Sequence, residues 1–317
     1  MSPQSFKVTV TPEETKSIKD FIILVRRGLP QYRALDFTSP LPSNSDLAQD
    51  DKKLDGSMAA KPEIHKGGIP LSDYCQHLLG AAADNLESLL AMLYATSDDK
   101  YVHIQAHRSG SYSLIRSSLE ASVQVCWLLS PADSLERVSR RLGMQADEIY
   151  NKGKAIDSLR RSSQAALAHP FDLLDETIPR PASIEETYRL ERKRIEKSEE
   201  RYKSLASGLN ISGNSLKRYK EASRFTSMLE SLESDYPQMR EYGLFAAWQI
   251  CSAASHGKHW GYMMLSEMQM IEDHPDRQSA TYIQAIDYNN MSYMGQVALQ
   301  TLIFAIQLYK RRAGSRW

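Results

Sequence analysis

Apolar residues recur at helical spacing along most of the chain, and the places where that spacing fails mark the element boundaries. Thr11-Pro12-Glu13-Glu14 reads as a helix start: Thr11 can cap, Pro12 suits the first helical position and Glu14 completes a capping box. The helix it opens carries Ile18, Phe21, Ile22 and Val25 on one face, and Gly28–Pro30 is expected to stop it. Residues 30–70 then lose all periodicity. Pro40, Pro42, Ser43-Asn44-Ser45 and Asp50–Lys53 are loop chemistry, and Gly67-Gly68 closes a stretch expected to be a long connection or mobile segment.

From Ser72 the pattern is strongly helical. Residues 72–96 put Leu78, Leu79, Ala82, Leu86, Leu89, Leu90 and Leu93 on a broad apolar face. Residues 101–129 form a second long segment, stopped by Ser130-Pro131, in which Leu119, Ala121, Val123, Val125, Cys126, Trp127, Leu128 and Leu129 surround the axis. A helix that is apolar all round is a central one. Asp133 opens a segment expected to run, with a break near Gly143, to about Ala168, and Pro170, Pro179 and Pro181 mark a loop. Ser183-Ile184-Glu185-Glu186 is another capping box, opening a charged helix over 183–206. Further helices are predicted at about 214–233, at 238–270 after Pro237, and at 279–312. Only Phe6–Val10 alternates as a strand would, and weakly. The expected fold is all-α, a bundle of eight or nine helices, with residues 1–70 as an N-terminal helix and linker and 71–317 as the helical domain.

Composition narrows the function. The 317 residues carry 39 Lys+Arg and 39 Asp+Glu, a formal net charge of zero, which argues against a chain that is basic throughout and binds nucleic acid by its overall field. Cys75, Cys126 and Cys251 each lie in an apolar stretch without metal-ligand spacing, so they read as reduced core thiols and point to the cytosol. Residues 1–11 lack an apolar signal region, and no apolar run approaches the ~20 residues of a membrane span. Walker A, GxGxxG and GxSxG patterns are missing. The run from Arg189 to Lys197 mixes both signs at i,i+4 spacing. It fits either an arm that binds RNA or a protein partner, or a solvated helix laced with ion pairs. Lys310-Arg311-Arg312 and Arg316 read as helix capping and solubility.

Two stretches carry candidate chemistry. Arg116 and Glu120 are four apart and share a helix face at the edge of the most apolar segment, and Trp127 continues that face. Glu120 either orients Arg116 toward a phosphate or carboxylate, or the two form a buried pair that ties helices together, because an unpaired buried charge is costly. The second stretch is Ser252-Ala253-Ala254-Ser255-His256-Gly257-Lys258-His259-Trp260. Its small residues allow close helix approach, and Gly257 is expected to serve a bend or close packing. His256 is a candidate general acid or base, or else a satisfied core group, and His259, beside Lys258, is a second candidate or else an exposed or structural residue. Ser252, Ser255, His259, Trp127 and Trp260 are candidate substrate contacts. Asp73 and His77, with His103 and His107, have helical ligand spacing and with Glu120 could build a metal centre, but the paired Glu-x-x-His signature is missing, so neither a metal nor a cofactor is expected.

Arg116-Ser117-Ser118-Leu119-Glu120, Trp127-Leu128-Leu129-Ser130-Pro131, Glu136-Arg137-Val138-Ser139-Arg140-Arg141-Leu142 and Ser255-His256-Gly257 with Trp260 together resemble a family of helical proteins common in actinobacteria, over residues 72–265. The chain more loosely resembles the HEPN superfamily of helical bundles. That resemblance implies a dimer, and for many members a metal-independent ribonuclease of toxin or antiphage systems. In those ribonucleases an arginine precedes the histidine by four to six residues. Here the nearest upstream arginine to His256 is Arg240, sixteen positions away, so Arg116 would have to supply the cation from a different helix. The resulting expectation is a site of His256, Arg116 and Glu120 acting on RNA in a homodimer. The alternative is a non-catalytic interaction module that meets a protein partner through 183–206.

Overall fold

A computed structural model describes residues 10–54, 70–93, 96–98, 101–103, 108–168, 184–274 and 279–314. The readings at residues 6–9, at Gly67-Gly68, at Pro170–Pro181, at the Ser183 cap, at His107 and at Arg316 lie outside them. Among the described residues there are twelve helices, against the eight or nine expected, and two ribbons of two antiparallel strands. The chain is predominantly helical, and it divides into two compact units, Met1–Pro42 with Cys75–Ser130 and Met228–Trp317, and Ser43–Tyr74 with Pro131–Ser227. This division does not follow the boundary expected at residue 70.

The first unit is built around α4 (Arg108–Leu129), which packs on α10 (Leu244–Ser255) and on α12 (Tyr288–Arg312), with α1 (Pro12–Arg33) on the other side of α12. Leu119, Val123, Val125, Cys126, Leu128 and Leu129 are fully buried, as a helix apolar all round requires. The capping box of α1 is present: Glu14 N–H donates to Thr11 Oγ1 at 3.1 Å and Thr11 N–H to Glu14 Oε2 at 2.9 Å. Glu14 Oε1 also accepts the N–H of Tyr288 at 3.2 Å, tying the start of α1 to the start of α12. The helix does not stop at Pro30 but runs to Arg33, since a proline within a turn of the end removes only one hydrogen bond. α3 (Leu71–Leu93) buries Leu79, Leu86, Leu89 and Leu93, and its Gln76 Nε2 donates to Tyr309 Oη of α12 at 2.9 Å. All three cysteines are buried as thiols, none in a disulfide; burial pushes Cys126 above its ordinary range and Cys251 up to about 12. No helix among the described residues is long and apolar enough to cross a membrane.

The long helices expected at 238–270 and 279–312 are corrected. The first is divided into α9 (Pro237–Glu241), α10 and α11 (His259–Met264) and ends in strand β3 (Ser266–His274). The second begins as strand β4 (Ser279–Ile286), and α12 starts only at Tyr288, capped by Asp287 Oδ1, which accepts the N–H of Asn290 at 3.0 Å. β3 and β4 pair antiparallel from Ser266 opposite Ile286 to His274 opposite Ser279, with a register shift between Met270 and Glu272. Short mixed runs such as these satisfy helical and strand periods alike, and the β-branched and aromatic residues of 281–286 decide for the strand. A smaller ribbon, β1 (Thr96–Asp98) with β2 (Tyr101–His103), replaces the ends expected for the segments 72–96 and 101–129.

The second unit contains the other correction. Within the stretch expected to lack structure, α2 (Asp46–Leu54) buries Leu47, Asp50 and Leu54 and packs on α5 (Ser134–Ala168). Asp50 is fully buried, and Arg137 of α5 is 1% exposed. Arg137 Nε donates to Asp50 Oδ2 at 2.6 Å and Nη2 to Oδ1 at 3.2 Å, while Nη1 donates to the carbonyls of Pro131 at 2.9 Å and Ala132 at 2.7 Å. Ser134 Oγ adds a hydrogen bond to Asp50 Oδ1. A buried pair survives only when its donors and acceptors are satisfied in this way. No break occurs near Gly143: α5 is continuous there, because that glycine admits α7 (Gly213–Ala222), and a Cβ at Gly143 would stand 2.7 Å from the backbone carbon of Tyr219. The charged segment is α6 (Ile184–Gly208), which lies on α5. Lys152 pairs with Glu191 at 2.6 Å and Arg192 with Asp157 at 3.3 Å, and the bond to Lys152 holds the Glu191 carboxyl below its ordinary range.

Candidate functional site

The site lies wholly in the first unit, on the one face of α4 that emerges from the core. Arg116 and Glu120 are partly exposed, with side-chain accessibilities of 23% and 29%. One turn of helix brings Arg116 Nε to Glu120 Oε1 at 2.7 Å. α10 runs antiparallel along this face. Near its middle, Trp248 Nε1 donates to the same Glu120 Oε1 at 2.9 Å. At its end, His256 Nε2 stands 2.7 Å from Arg116 Nη1, joining residues 140 positions apart in the chain. Farther along, Tyr262 Oη of α11 reaches Ser109 Oγ at 3.2 Å. The cation beside His256 therefore does come from a different helix.

His256 is held by the way α10 ends. Its backbone N–H donates to the Ser252 carbonyl at 3.1 Å, Gly257 N–H to Ala254 at 3.1 Å and Lys258 N–H to Ala253 at 2.9 Å. This is the paired closure of a Schellman motif, and it needs a residue with positive φ after the cap. Gly257 has φ +68°, so it ends the helix and does not bend it. Gly257→Ala is expected to cost about 1–2 kcal/mol in thermal unfolding and to loosen the position of His256. A melting curve superimposable on the wild type would contradict that.

The polarity of the Arg116–His256 contact follows from chemistry. A guanidinium has no acceptor, so its N–H donates and Nε2 of His256 accepts, which places the ring proton of neutral imidazole on Nδ1. The Nε2 lone pair is thus engaged by Arg116. Among the described residues Nη2 of Arg116 makes no hydrogen bond, and His256 is exposed. The assembly is an open, cationic corner in which a carboxylate fixes the guanidinium and a tryptophan fixes the carboxylate. Such a fork matches the geometry of a phosphate or carboxylate.

The remaining expected site residues fare unequally. Ser252 and Ser255 are half-buried on α10, and Ser255 Oγ is engaged by the Cys251 carbonyl at 2.7 Å. His259 and Trp260 are exposed on α11, Trp260 at 49%. No side-chain hydrogen bond joins these four to Arg116 or His256. Trp127 is not a surface contact: it is 2% exposed, because two turns beyond Glu120 the same face of α4 has entered the core. Cys251 is buried and its thiol raised to about 12, so it is inert at neutral pH. Among the described residues no group of three or more His, Cys, Asp or Glu could hold a metal ion, and Glu120 is bonded to Arg116 and Trp248. Asp73 and His77 lie on α3, and the side chains of His103 and His107 are outside the described residues.

Trp248 is a member of the network that is not among the expected site residues. Its signal is the step Trp248, Ser252, His256, two successive i,i+4 intervals on one side of α10, together with the need of an indole N–H for an acceptor. No protein-family model, no curated protein and no solved structure matches the chain.

Proposed function

We propose that Arg116, Glu120 and His256 form a phosphodiester-cleaving site in a HEPN-like helical protein, acting on RNA without a metal ion. The observation that carries this reading is the 2.7 Å contact between Arg116 Nη1 and His256 Nε2 at an exposed corner where the guanidinium retains unused donors. A phosphate arriving at Arg116 is a better partner for the guanidinium than a neutral imidazole. Arg116 turns its N–H groups to the phosphate and releases the Nε2 lone pair. His256 Nε2 then takes the proton of the ribose 2′-OH, and the 2′-oxygen attacks phosphorus. The bond from phosphorus to the 5′-oxygen breaks, and that oxygen takes a proton from water. The products are a 2′,3′-cyclic phosphate and a 5′-hydroxyl. Arg116 stabilises the charge that develops on the phosphoryl oxygens, Glu120 holds Arg116, and Trp248 holds Glu120. The biological setting of toxin or antiphage systems follows from the resemblance alone.

The second reading is an interaction module in which the network only fastens α10 to α4, and the bridge from Trp248 through Glu120 to Arg116 favours it. The exposure of His256 favours ligand chemistry. Incubation of the purified protein with total RNA, with and without chelator and beside His256→Ala, separates the readings. Chelator-insensitive cleavage that the variant lacks supports the site. Absence of cleavage, or equal cleavage by the variant, assigns the network to packing, and cleavage abolished by chelator assigns the reaction to a metal.

A further inference from the structure

The last helix offers no free apolar face for an expected homodimer, because α12 is already engaged: Met291, Val297, Ala298, Leu302, Ala305 and Ile306 are buried, and it packs on α1 and α4. The ribbon of β3 and β4 offers a different surface. It is a sheet of two strands, and no third strand pairs with either edge among the described residues. A two-stranded ribbon alone is marginally stable, and an unpaired edge is a template for another strand.

The two edges are built differently. β3, Ser266-Glu267-Met268-Gln269-Met270-Ile271-Glu272-Asp273-His274, carries three acids, and the register shift places its extra residue, Ile271, in this strand. Charges and bulges are the devices by which natural sheets block edge pairing. β4, Ser279-Ala280-Thr281-Tyr282-Ile283-Gln284-Ala285-Ile286, has no charge, no proline, no glycine and no bulge. One edge is protected and the other is left able to pair.

We infer that the β4 edge pairs antiparallel with β4 of a second copy of this chain, forming a four-stranded sheet in the order β3-β4-β4-β3. The strand is self-complementary. A twofold axis through Ile283 sets Ile283 of each copy opposite Ile283 of the other, Tyr282 opposite Gln284 and Thr281 opposite Ala285, with no like charges facing. The acidic, bulged strands become the outer edges of the sheet, where they stop further addition. Pairing through β3 would instead bring Glu267, Glu272 and Asp273 of the two copies together.

Light scattering on the eluting full-length protein tests this. The wild type should show twice the mass of the chain at micromolar concentration and above, and Thr281→Lys with Gln284→Lys should show a single chain with an unchanged melting temperature. Gln269→Lys, on β3, should leave the dimer intact. Hydrogen exchange on the wild type gives an independent readout: amides of 279–286 should be slower at high concentration and faster on dilution. A wild type that stays a single chain at every concentration overturns the inference, as does a dimer that survives the β4 lysines or one whose concentration-dependent protection lies outside 279–286. If the lysine pair does not fold, the wild-type exchange pattern decides.

Discussion

Asp50→Ala is expected to destabilise the second unit by about 3–5 kcal/mol, the cost of leaving a buried ion without its partner. Arg137 is 1% exposed, and with the Asp50 carboxylate gone it keeps the carbonyls of Pro131 and Ala132 and a 3.9 Å ion pair from Nη2 to the more exposed Asp46. The charge then lies in a low-dielectric interior with Nε unsatisfied and no close carboxylate. Arg137→Met should cost a similar amount by stranding the carboxylate, whereas Asp50→Leu with Arg137→Met together should lie much closer to the wild type, since replacing both partners with apolar groups removes both desolvation terms. Because the chain has two units, hydrogen exchange within α2 and α5 is a better probe than one global unfolding curve. A loss no larger than the ~1 kcal/mol of an exposed pair would contradict the role given to this contact.

The second large effect concerns the reaction. His256→Ala should lower the rate of RNA cleavage by about 10²–10⁴, the usual contribution of a positioned general base. The fold should be unaffected, because the side chain is exposed at a helix end. Arg116→Lys should reduce the rate by about 10²–10³, the cost of removing a transition-state donor. Lysine keeps the charge but loses the planar fork that reaches Glu120 and the phosphate at once. Comparison of single-turnover rates, with circular dichroism as a check on folding, measures both. Equal rates for His256→Ala and the wild type would remove the histidine from the chemistry.

The residues that sequence pattern placed well are those whose environment is set locally. The Thr11–Glu14 box, the apolar circumference of α4 and the i,i+4 relation of Arg116 to Glu120 all depend on helical geometry alone. The meeting of Arg116 with His256 is tertiary and was legible only as a requirement: a histidine with no arginine on its own helix needs one from elsewhere. Asp50 was hidden because its neighbours, Ser43 to Lys53, have loop composition, and only burial against α5 turns them into a helix. Trp127 was misplaced because one face of a long helix changes partners along its length, so sharing a face with Glu120 does not mean sharing solvent. The β3–β4 ribbon was missed because its short runs of mixed apolar and polar residues fit a helix as well as a strand.

The central claim is that Arg116 exchanges His256 for a phosphate. Ring ¹⁵N spectra of the histidines, with His256 assigned by a His256→Gln variant, test it directly when the protein is titrated with an oligonucleotide whose 2′-hydroxyls are replaced by hydrogen and which binds without being cleaved. The expected result is a His256 with the proton on Nδ1, whose Nε2 signal moves on titration as Arg116 departs, and no such movement in Arg116→Ala. A His256 Nε2 signal that stays fixed at saturating oligonucleotide, or that moves equally in Arg116→Ala, would contradict the account.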